Sequence, residues 1–331
     1  MPKALPRISR RRAVQGAAAA LVISGPLMWW LLPIGSPSPH GTVTFSTGVR
    51  TGVYQLYGKL LSPTLAHDLP GVDIRLQPSE GSQQNLARVA TGKADFTIAT
   101  ADAIAKYIED GKPGADRLRG CARLYDDYVQ LAVEDGSPVR RAADLRHKRV
   151  AVGQPGSGVR LIADRALRAA GIDPHKDITA VPAGIDTSPG LLKAGKIDAF
   201  FWSGGLPTDA VRDLAARDPI RLIPLDDLVT RLHAAGGTTR YYRSAVMPAD
   251  AYRQARNGAP VPTFAVANVL VTTDREDPKL TEGFTRSVIR SRDRIGRQVH
   301  AAQLVDVRTA IYTDPLKLDE GARRYYRSVK P

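Results

Sequence analysis

A glycine-rich turn in the middle of the chain is the stretch best suited to bind a ligand. The run Val150-Ala-Val-Gly-Gln-Pro-Gly-Ser-Gly-Val-Arg160 predicts a short strand, a tight turn and a helix over residues 159–170. The first N–H groups of a helix have no partner within it, and their partial positive charge attracts an anion. Ser157 is placed to cap this helix, and the guanidinium of Arg160 is suited to a carboxylate. A plain strand–turn–helix corner, with Arg160 in solvent or paired with Asp164, fits the same pattern.

Other residues that could carry chemistry lack the spacing that it requires. The histidines are far apart, and the single Cys121 excludes an intrachain disulfide and a multi-cysteine metal cage. The acidic pairs Asp126-Asp127 and Asp226-Asp227 show no arrangement that indicates acid–base catalysis. The glycine turn lacks the Lys-Ser/Thr ending of a phosphate-binding loop, and the sequence has no G-x-S-x-G nucleophile elbow. We therefore predict no catalytic residues, no metal site and no cofactor.

The positive charge of the chain does not indicate a nucleic-acid-binding protein. The formal net charge is +14, but residues 1–40 contain five Lys and Arg residues and no acid, which leaves +9 for the rest of the chain. The remaining arginines are scattered among acidic residues instead of clustering with aromatic side chains. We predict an Arg-rich surface with mild attraction for anions and no nucleic-acid partner.

Residues 1–40 are predicted to form an export signal or membrane anchor with a Ser/Pro linker. The run Ser9-Arg-Arg-Arg-Ala-Val14 resembles a twin-arginine signal, and the apolar residues 13–34 approach the ~20 that span a bilayer. The sequence shows no clear small-x-small cleavage site, so an uncleaved anchor is favoured over a removed signal peptide. A cleaved, secreted form is the alternative. In both cases the basic head stays in the cytoplasm, and the rest of the chain is extracytoplasmic.

The elements that position the glycine turn occur twice in the sequence. The predicted strand Thr42–Ser46 is also followed by a glycine-rich turn and a helix, and Gly52 matches Gly158 at an offset of 106 residues. Gly92-Lys-Ala-Asp95 matches Gly195-Lys-Ile-Asp198 at an offset of 103 residues. Alternation of strands and helices predicts an α/β fold with two lobes and mainly parallel sheets. Ligands bind beyond the carboxyl ends of such strands, so both glycine turns are expected at one cleft.

The C-terminal part of the chain is predicted to return to the first lobe, and this return defines the predicted domain boundaries. We predict a strand over residues 263–271 and a long helix over residues 281–298, both completing the first lobe. The resulting organisation is a leader (1–40), lobe I (41–135), lobe II (136–245) and a return segment of lobe I with the C-terminal helices (246–331).

Short motifs occur in a characteristic order along the chain. They are Thr51-Gly-Val-Tyr54 with Gly58, Gly81-Ser82 with Asn85-Leu86, Gly92 with Ala94-Asp95, Asp144-Leu145, Arg149-Val-Ala-Val-Gly153, Pro155-Gly-Ser-Gly158, Ile197-Asp-Ala-Phe-Phe201 and Gly204-Gly-Leu-Pro207. Each is weak alone, but over residues 41–300 their order resembles TAXI-type solute-binding proteins, the receptors associated with TRAP transporters. The sequence departs from the family pattern at Gln55 and Leu56, where a tyrosine and a proline are usual, and at the turn Val49-Arg50.

The resemblance implies a type II periplasmic-binding-protein fold whose two lobes close on a small ligand. It implies a non-enzymatic receptor that captures a small organic anion, glutamate-like or a dicarboxylate, and delivers it to a TRAP-type membrane permease. Carried over position by position, the ligand-binding residues are Thr51, Gly52, Tyr54, Ser82, Thr100, Asp102, Ser157, Gly158, Val159, Arg160, Gly204 and Gly205. Asp102 could equally cap the helix that follows it.

Two other functions remain open from the sequence. A ligand-sensing subunit for a membrane histidine kinase would use the same leader and the same cleft. An enzyme on the same two-lobed fold is less favoured, because the sequence shows an export leader and no catalytic constellation.

Overall fold

The structure, a computed structural model, describes residues 38–329, in which strands and helices alternate along much of the chain. The strands are β1 (Gly41–Ser46), β2 (Val72–Gln77), β3 (Phe96–Thr100), β4 (Leu118–Glu134), β5 (Arg149–Ala151), β6 (Thr179–Val181), β7 (Ala199–Gly204), β8 (Ile220–Leu222), β9 (Tyr242–Met247) and β10 (Val261–Thr273). The α-helices are α1 (Val53–Asp68), α2 (Ser82–Ala90), α3 (Ala101–Glu109), α4 (Gly158–Ala169), α5 (Ser188–Lys193), α6 (Asp209–Arg217), α7 (Val229–Ala234), α8 (Pro278–Arg290), α9 (Arg292–Gly296), α10 (Val307–Ala310) and α11 (Glu320–Val329). Short 3-10 helices lie at Ala115–Arg117, Ala142–Leu145, Asp226–Leu228, Gly237–Tyr241 and His300–Leu304.

The predicted signal or anchor over residues 13–34 lies outside the described residues. Among residues 38–329, no helix has the length and apolar character that crossing a membrane requires.

Within the described residues, all ten strands belong to one sheet in the order β2-β1-β3-β10-β4-β7-β5-β6, with β8 on β4 and β9 on β10. The strands β2, β1 and β3 pair in parallel, as do β6, β5 and β7. The central strands β10 and β4 pair antiparallel with each other and with their neighbours. We call β2-β1-β3 with its packed helices the first lobe, and β7-β5-β6 with its packed helices the second lobe. The predicted two-lobed α/β fold is confirmed, with parallel pairing within each lobe and antiparallel pairing at the central strands of one continuous sheet.

Each lobe buries apolar side chains on both faces of its part of the sheet. In the first lobe, α1, α8 and α11 cover one face, where Phe96 and Phe284 stack with ring centroids 4.0 Å apart. Helices α2 and α3 cover the other face around Leu86 and Ile104. In the second lobe, α4 packs through Ile162 and its apolar neighbours on one face, and α5 and α6 pack on the other. Helices on both faces explain why every residue of β3 and β7 is buried, whereas the outer strand β2 alternates apolar with polar residues.

Each lobe contains an equivalent helix–strand corner, as the repeated Gly-Lys-x-Asp motif predicts. The backbone N–H of Thr44 in β1 donates to the carboxylate of Asp95 at 2.6 Å, and that of Arg149 in β5 donates to Asp198 at 2.7 Å. In both motifs the glycine has positive φ, 75° and 61°, which a glycine adopts without strain. These equivalent hydrogen bonds show that the repeated motif forms the same corner in both lobes.

The long strand β4 was not predicted from the sequence, although it links the two lobes. Its residues 118–128 pair with β10, with two shifts of register, and its residues 128–133 pair with β7 of the second lobe. Strand β10 extends the strand predicted over residues 263–271 by two residues at each end, and the helix predicted over residues 281–298 is divided at Ser291. Both lobes therefore share β4 and β10, while the lobe boundaries at residues 135 and 245 stay proposals.

A buried ion pair connects α3 of the first lobe to α4 of the second lobe. The guanidinium of Arg165 donates to the carboxylate of Asp102 at 2.8 Å, and the hydroxyl of Tyr242 donates to the same carboxylate oxygen at 2.8 Å. The side chain of Asp102 is fully buried, and that of Arg165 is 11% exposed. Removing one partner of a buried pair leaves the other charge without compensation.

Replacing Arg165 tests how much this pair contributes to stability. Arg165→Met should lower the free energy of unfolding by about 3–5 kcal/mol, because Asp102 keeps its burial and loses its counter-charge. Urea denaturation measures this change, and Arg168→Met, on an exposed face of the same helix, is the matched control. Equal stability of the two variants would contradict the role assigned to the pair.

Candidate functional site

Within residues 38–329, the N-terminal ends of four helices line one cleft between the two lobes. Three of them, α1 after Gly52, α2 after Gly81 and α3 after Thr100, belong to the first lobe. The fourth is α4, whose N-cap is Ser157 in the second lobe. The free space in the cleft is about 590 Å³, including its opening to solvent. The expectation that both glycine turns reach one cleft is confirmed.

Most of the residues predicted to bind ligand lie at this cleft. The eight that line it are Gly52, Tyr54, Ser82, Thr100, Ser157, Gly158, Val159 and Gly204. They come from four helix N-termini and from the end of β7, which the chain brings together from positions up to 152 residues apart. Contact of these residues with a ligand stays a prediction.

Three other predicted residues make contacts within the protein. The side chain of Arg160 donates to both carboxylate oxygens of Asp164, at 3.1 and 3.2 Å, which is the pairing that the sequence had left open. Asp102 forms the buried ion pair described above. Gly205 lies close to the side chains of Tyr125 and Ala301. These contacts do not test the ligand-binding role predicted for the three residues, which stays a prediction.

The twelfth predicted residue, Thr51, joins the two lobes beside the cleft. Its hydroxyl and its backbone N–H donate to the carboxylate of Asp186 in the second lobe. Nearby, the side-chain amide of Gln83 donates to the carbonyl of Ser157 at 2.7 Å, and the N–H of Gln84 donates to the carbonyl of Gly156 at 3.0 Å. These contacts connect the two lobes beside the cleft.

Two glycines determine how α4 approaches the cleft. Gly153 has a φ of 86°, and a Cβ atom there would lie 2.8 Å from the backbone nitrogen of Arg160. The hydroxyl of Ser157 accepts a hydrogen bond from that nitrogen at 3.0 Å and so caps α4, as predicted. A Cβ atom on Gly158 would lie 3.0 Å from the hydroxyl of Ser82 in the first lobe. Glycine at this position therefore lets the two lobes meet closely.

A chain of polar groups crosses the floor of the cleft. The N–H of Thr100 donates to the hydroxyl of Ser82 at 3.2 Å, and that hydroxyl lies 3.3 Å from the hydroxyl of Tyr54. Tyr54 donates to the side-chain oxygen of Asn268 at 2.5 Å, and the amide nitrogen of Asn268 donates to Asp127 at 2.8 Å. The chain of hydrogen bonds ends on a carboxylate, which is the strongest acceptor in the group.

Asp127 is a buried carboxyl group without a cationic partner in the described part of the chain. Its exposed fraction is 3%, and burial raises its pKa from 3.8 to about 7. The adjacent Asp126 differs, because Arg123 and Arg243 both pair with it. Burial also raises the pKa of Tyr54 well above its usual value, so the phenol is neutral at physiological pH.

Several residues of the cleft were not identified from the sequence. The sequence pattern around Asp127 bears only on acid–base catalysis, and Asn268 falls within the predicted strand over residues 263–271. Further lining residues without a predicted role are Val49, Val53, Glu80, Gln154, Ile162, Ile185, Trp202 and Ser203. Asn268 is a polar side chain in a stretch over residues 264–271 that is otherwise apolar, and this signal could have indicated it. Asp127 lies among other charged residues of β4, so no comparable signal marks it. No lysine or arginine lines the cleft among residues 38–329.

Burial of Asp127 predicts a specific dependence of stability on pH. Its folded-state pKa of about 7 exceeds the unfolded value near 3.9, so it stabilises the fold fully below pH 4, and this contribution is lost as pH rises through 7. From pH 5 to pH 8, the unfolding free energy of the wild type should therefore fall by about 2–3 kcal/mol relative to Asp127→Asn. Chemical denaturation at both pH values measures this, with Asp126→Asn as control. A difference that does not change with pH would contradict the burial of an unneutralised carboxyl group.

Solved structures of other proteins share this architecture at low sequence identity. A protein from Bordetella bronchiseptica RB50 is 18% identical, with a TM-score of 0.53 over 88% of this chain and 90% of that chain. A structure described as a periplasmic transporter is 12% identical, with a TM-score of 0.54 over 88% and 93% of the two chains. Tv2483 bound to L-arginine is 12% identical, with a TM-score of 0.51 over 80% and 92%. At these identities the likeness concerns the fold.

Sequence comparison identifies the family. A model described as the NMT1-like family matches residues 45–329, which include every element from β2 to α11 and all the lining residues of the cleft. The chain belongs to the NMT1-like family.

Proposed function

We propose that the protein is a non-enzymatic extracytoplasmic receptor that holds a small organic anion in the cleft between its lobes. The observation that carries this proposal is the convergence of four helix N-termini on one cleft. Helix N-termini present N–H donors and partial positive charge, and a carboxylate between them would satisfy both. A glutamate-like solute or a dicarboxylate fits this positive electrostatic potential.

The donors for the ligand carboxylate come from both lobes. We assign this role to the hydroxyls of Ser82 and Thr100 in the first lobe and to the backbone amides of Gly158 and Val159 in the second. Because Ser157 already caps the amide of Arg160, the two amides before it are the ones left for a ligand at the start of α4. A ligand held by both lobes would stabilise their contact.

The transport role rests on the motif order and on the leader. The motif order resembles TAXI-type receptors, and we assign the protein to that type within the NMT1-like family. Its partner would be a TRAP-type membrane permease, to which the closed receptor delivers its solute. Residues 13–34 would tether the receptor to the outer face of the cell membrane. The fold shared with a periplasmic transporter supports an extracytoplasmic location.

A solute screen tests the receptor function directly. The full-length protein in detergent would be heated with C4–C6 dicarboxylates, keto acids and α-amino acids, and with neutral sugars as controls. A solute at one hundred times its Kd adds about 2.7 kcal/mol to the folded state, which raises the Tm by several degrees. Stabilisation by at least one carboxylate-bearing solute is expected. Stabilisation by neutral sugars alone, or by no solute, would contradict the proposal.

The contact between Thr51 and Asp186 tests whether closure accompanies binding. Asp186→Ala removes hydrogen bonds that only the closed lobes can make, so it should weaken solute binding roughly threefold to tenfold through faster release. Stopped-flow fluorescence of the full-length protein measures the release rate, and Asp227→Ala, an exposed aspartate outside the cleft lining, is the control. An unchanged release rate in Asp186→Ala would mean that the contact does not report closure.

A further inference from the structure

The second oxygen of Asp127 has no close hydrogen-bond donor in the described residues. Its Oδ1 accepts from the amide of Asn268 at 2.8 Å, whereas Oδ2 has only the hydroxyl of Tyr54 at 3.5 Å. Tyr54 has one proton, and its contact with the side-chain oxygen of Asn268 is far shorter, at 2.5 Å. The tyrosine proton is therefore directed to Asn268, and Oδ2 of Asp127 is left as an acceptor at the cleft floor.

The direction of the whole polar chain also leaves Oδ2 of Asp127 without a short hydrogen bond from these groups. Hydrogen bonds run from the N–H of Thr100 to Ser82, from Tyr54 to Asn268, and from Asn268 to Asp127. Each of these groups donates toward the carboxylate, and none of these donors is a cation. A buried carboxylate is stable when a positive group or several donors face it, and this one has a single short hydrogen bond.

The cleft therefore has two electrostatically different parts. The helix N-termini favour negative charge, while the side chains that line the cleft include the acids Glu80 and Asp127 and, within residues 38–329, no basic residue. A ligand with negative charge alone would meet these two acids without any neutralising side chain. A ligand with both charges would match both parts of the cleft.

We propose that the solute is a zwitterion whose protonated nitrogen binds Oδ2 of Asp127 while its carboxylate lies at the helix N-termini. This assignment rests on the receptor function proposed above and narrows its ligand from organic anions in general to α-amino-acid-like solutes. Asp127 is the residue that distinguishes them from nitrogen-free dicarboxylates. A charge-assisted hydrogen bond at a buried site contributes strongly to such discrimination.

Among Asp127 and the charged or titratable groups around it, Asp127 is the one whose protonation state changes near neutral pH. Tyr54 on α1 and Tyr125 on β4 are neutral, because burial raises the pKa of each phenol well above its usual value. Asp102 on α3 is paired with Arg165. Glu80, before α2, is exposed at the rim. Asn268 on β10 does not titrate.

Binding of a cation to Asp127 has a definite sign of pH dependence. The pKa of about 7 in the free protein means that the carboxyl holds a proton below neutral pH, and a cationic nitrogen displaces that proton. Affinity should therefore rise about thirtyfold from pH 5.5 to pH 8. If a protonated Asp127 instead donated to a ligand carboxylate, affinity would fall over the same range.

Matched pairs of solutes test the inference with the full-length protein. The probes are L-glutamate against glutarate, and L-leucine against 4-methylpentanoate, which differ by the amino group. Isothermal titration between pH 5.5 and pH 8 should show that an amino acid binds at least about a hundredfold more tightly than its nitrogen-free partner. Asp127→Asn should abolish this preference and the pH dependence. Asp126→Asn, which removes the same charge from the neighbouring residue, should keep both.

The outcomes separate the inference from the proposed function. Equal affinity for the two members of a pair, affinity that falls as pH rises, or a preference that survives in Asp127→Asn overturns the role of Asp127 and leaves a carboxylate receptor. Absence of binding for every carboxylate-bearing solute overturns the receptor function and the inference together. The wild-type comparisons need no variant, so they decide the matter even if Asp127→Asn is poorly folded.

Discussion

The antiparallel pairing of β4 with β10 is the constraint on which the rest of the structure depends. These two strands are the only part of the described sheet that pairs with strands of both lobes. A β-bulge interrupts their pairing between Ala267 and Val269, and Asn268 lies within it. Bulges change the direction of a side chain locally. Here the bulge lies where the lobes meet, and it accompanies the contact of Asn268 with both Tyr54 and Asp127.

Two buried aspartates near this junction have opposite electrostatic environments. Asp102 is neutralised by Arg165 and receives a hydrogen bond from Tyr242, so its burial joins α3 to α4. Asp127 has only neutral donors, and burial raises its pKa to about 7. A fold selected for stability alone would favour the first arrangement, because an unneutralised carboxyl group costs free energy at neutral pH. The second arrangement is understandable where a ligand supplies the missing charge, since binding sites often retain local destabilisation.

Features determined by neighbouring residues could be predicted from the sequence, and features determined by distant ones could not. The glycine turns, the Gly-Lys-x-Asp corners and the cap at Ser157 each depend on a few consecutive residues, and all are present. Pairing of Arg160 with Asp164 is also local, and the sequence had left it open. Strand β4 has glycine and charged residues that obscure a simple alternation, because its surroundings change from one lobe to the other. The contact of Asp127 with Asn268 spans 141 residues, and no local pattern indicates it.

The convergence of helix N-termini also affects how the lobes close. Closing the cleft brings the positive end of α4 against the positive ends of α1, α2 and α3, and like partial charges repel at short range in a poorly solvated site. A Cβ atom on Gly158 would lie only 3.0 Å from the hydroxyl of Ser82. Little water therefore separates the two helix ends, and their repulsion is weakly screened. A ligand carboxylate placed between the helices would convert the repulsion into attraction from both sides, and the cationic nitrogen of the proposed zwitterion would replace the proton on Asp127. If the ligand is the anion proposed above, the same electrostatics would favour closure of the lobes when that anion is bound.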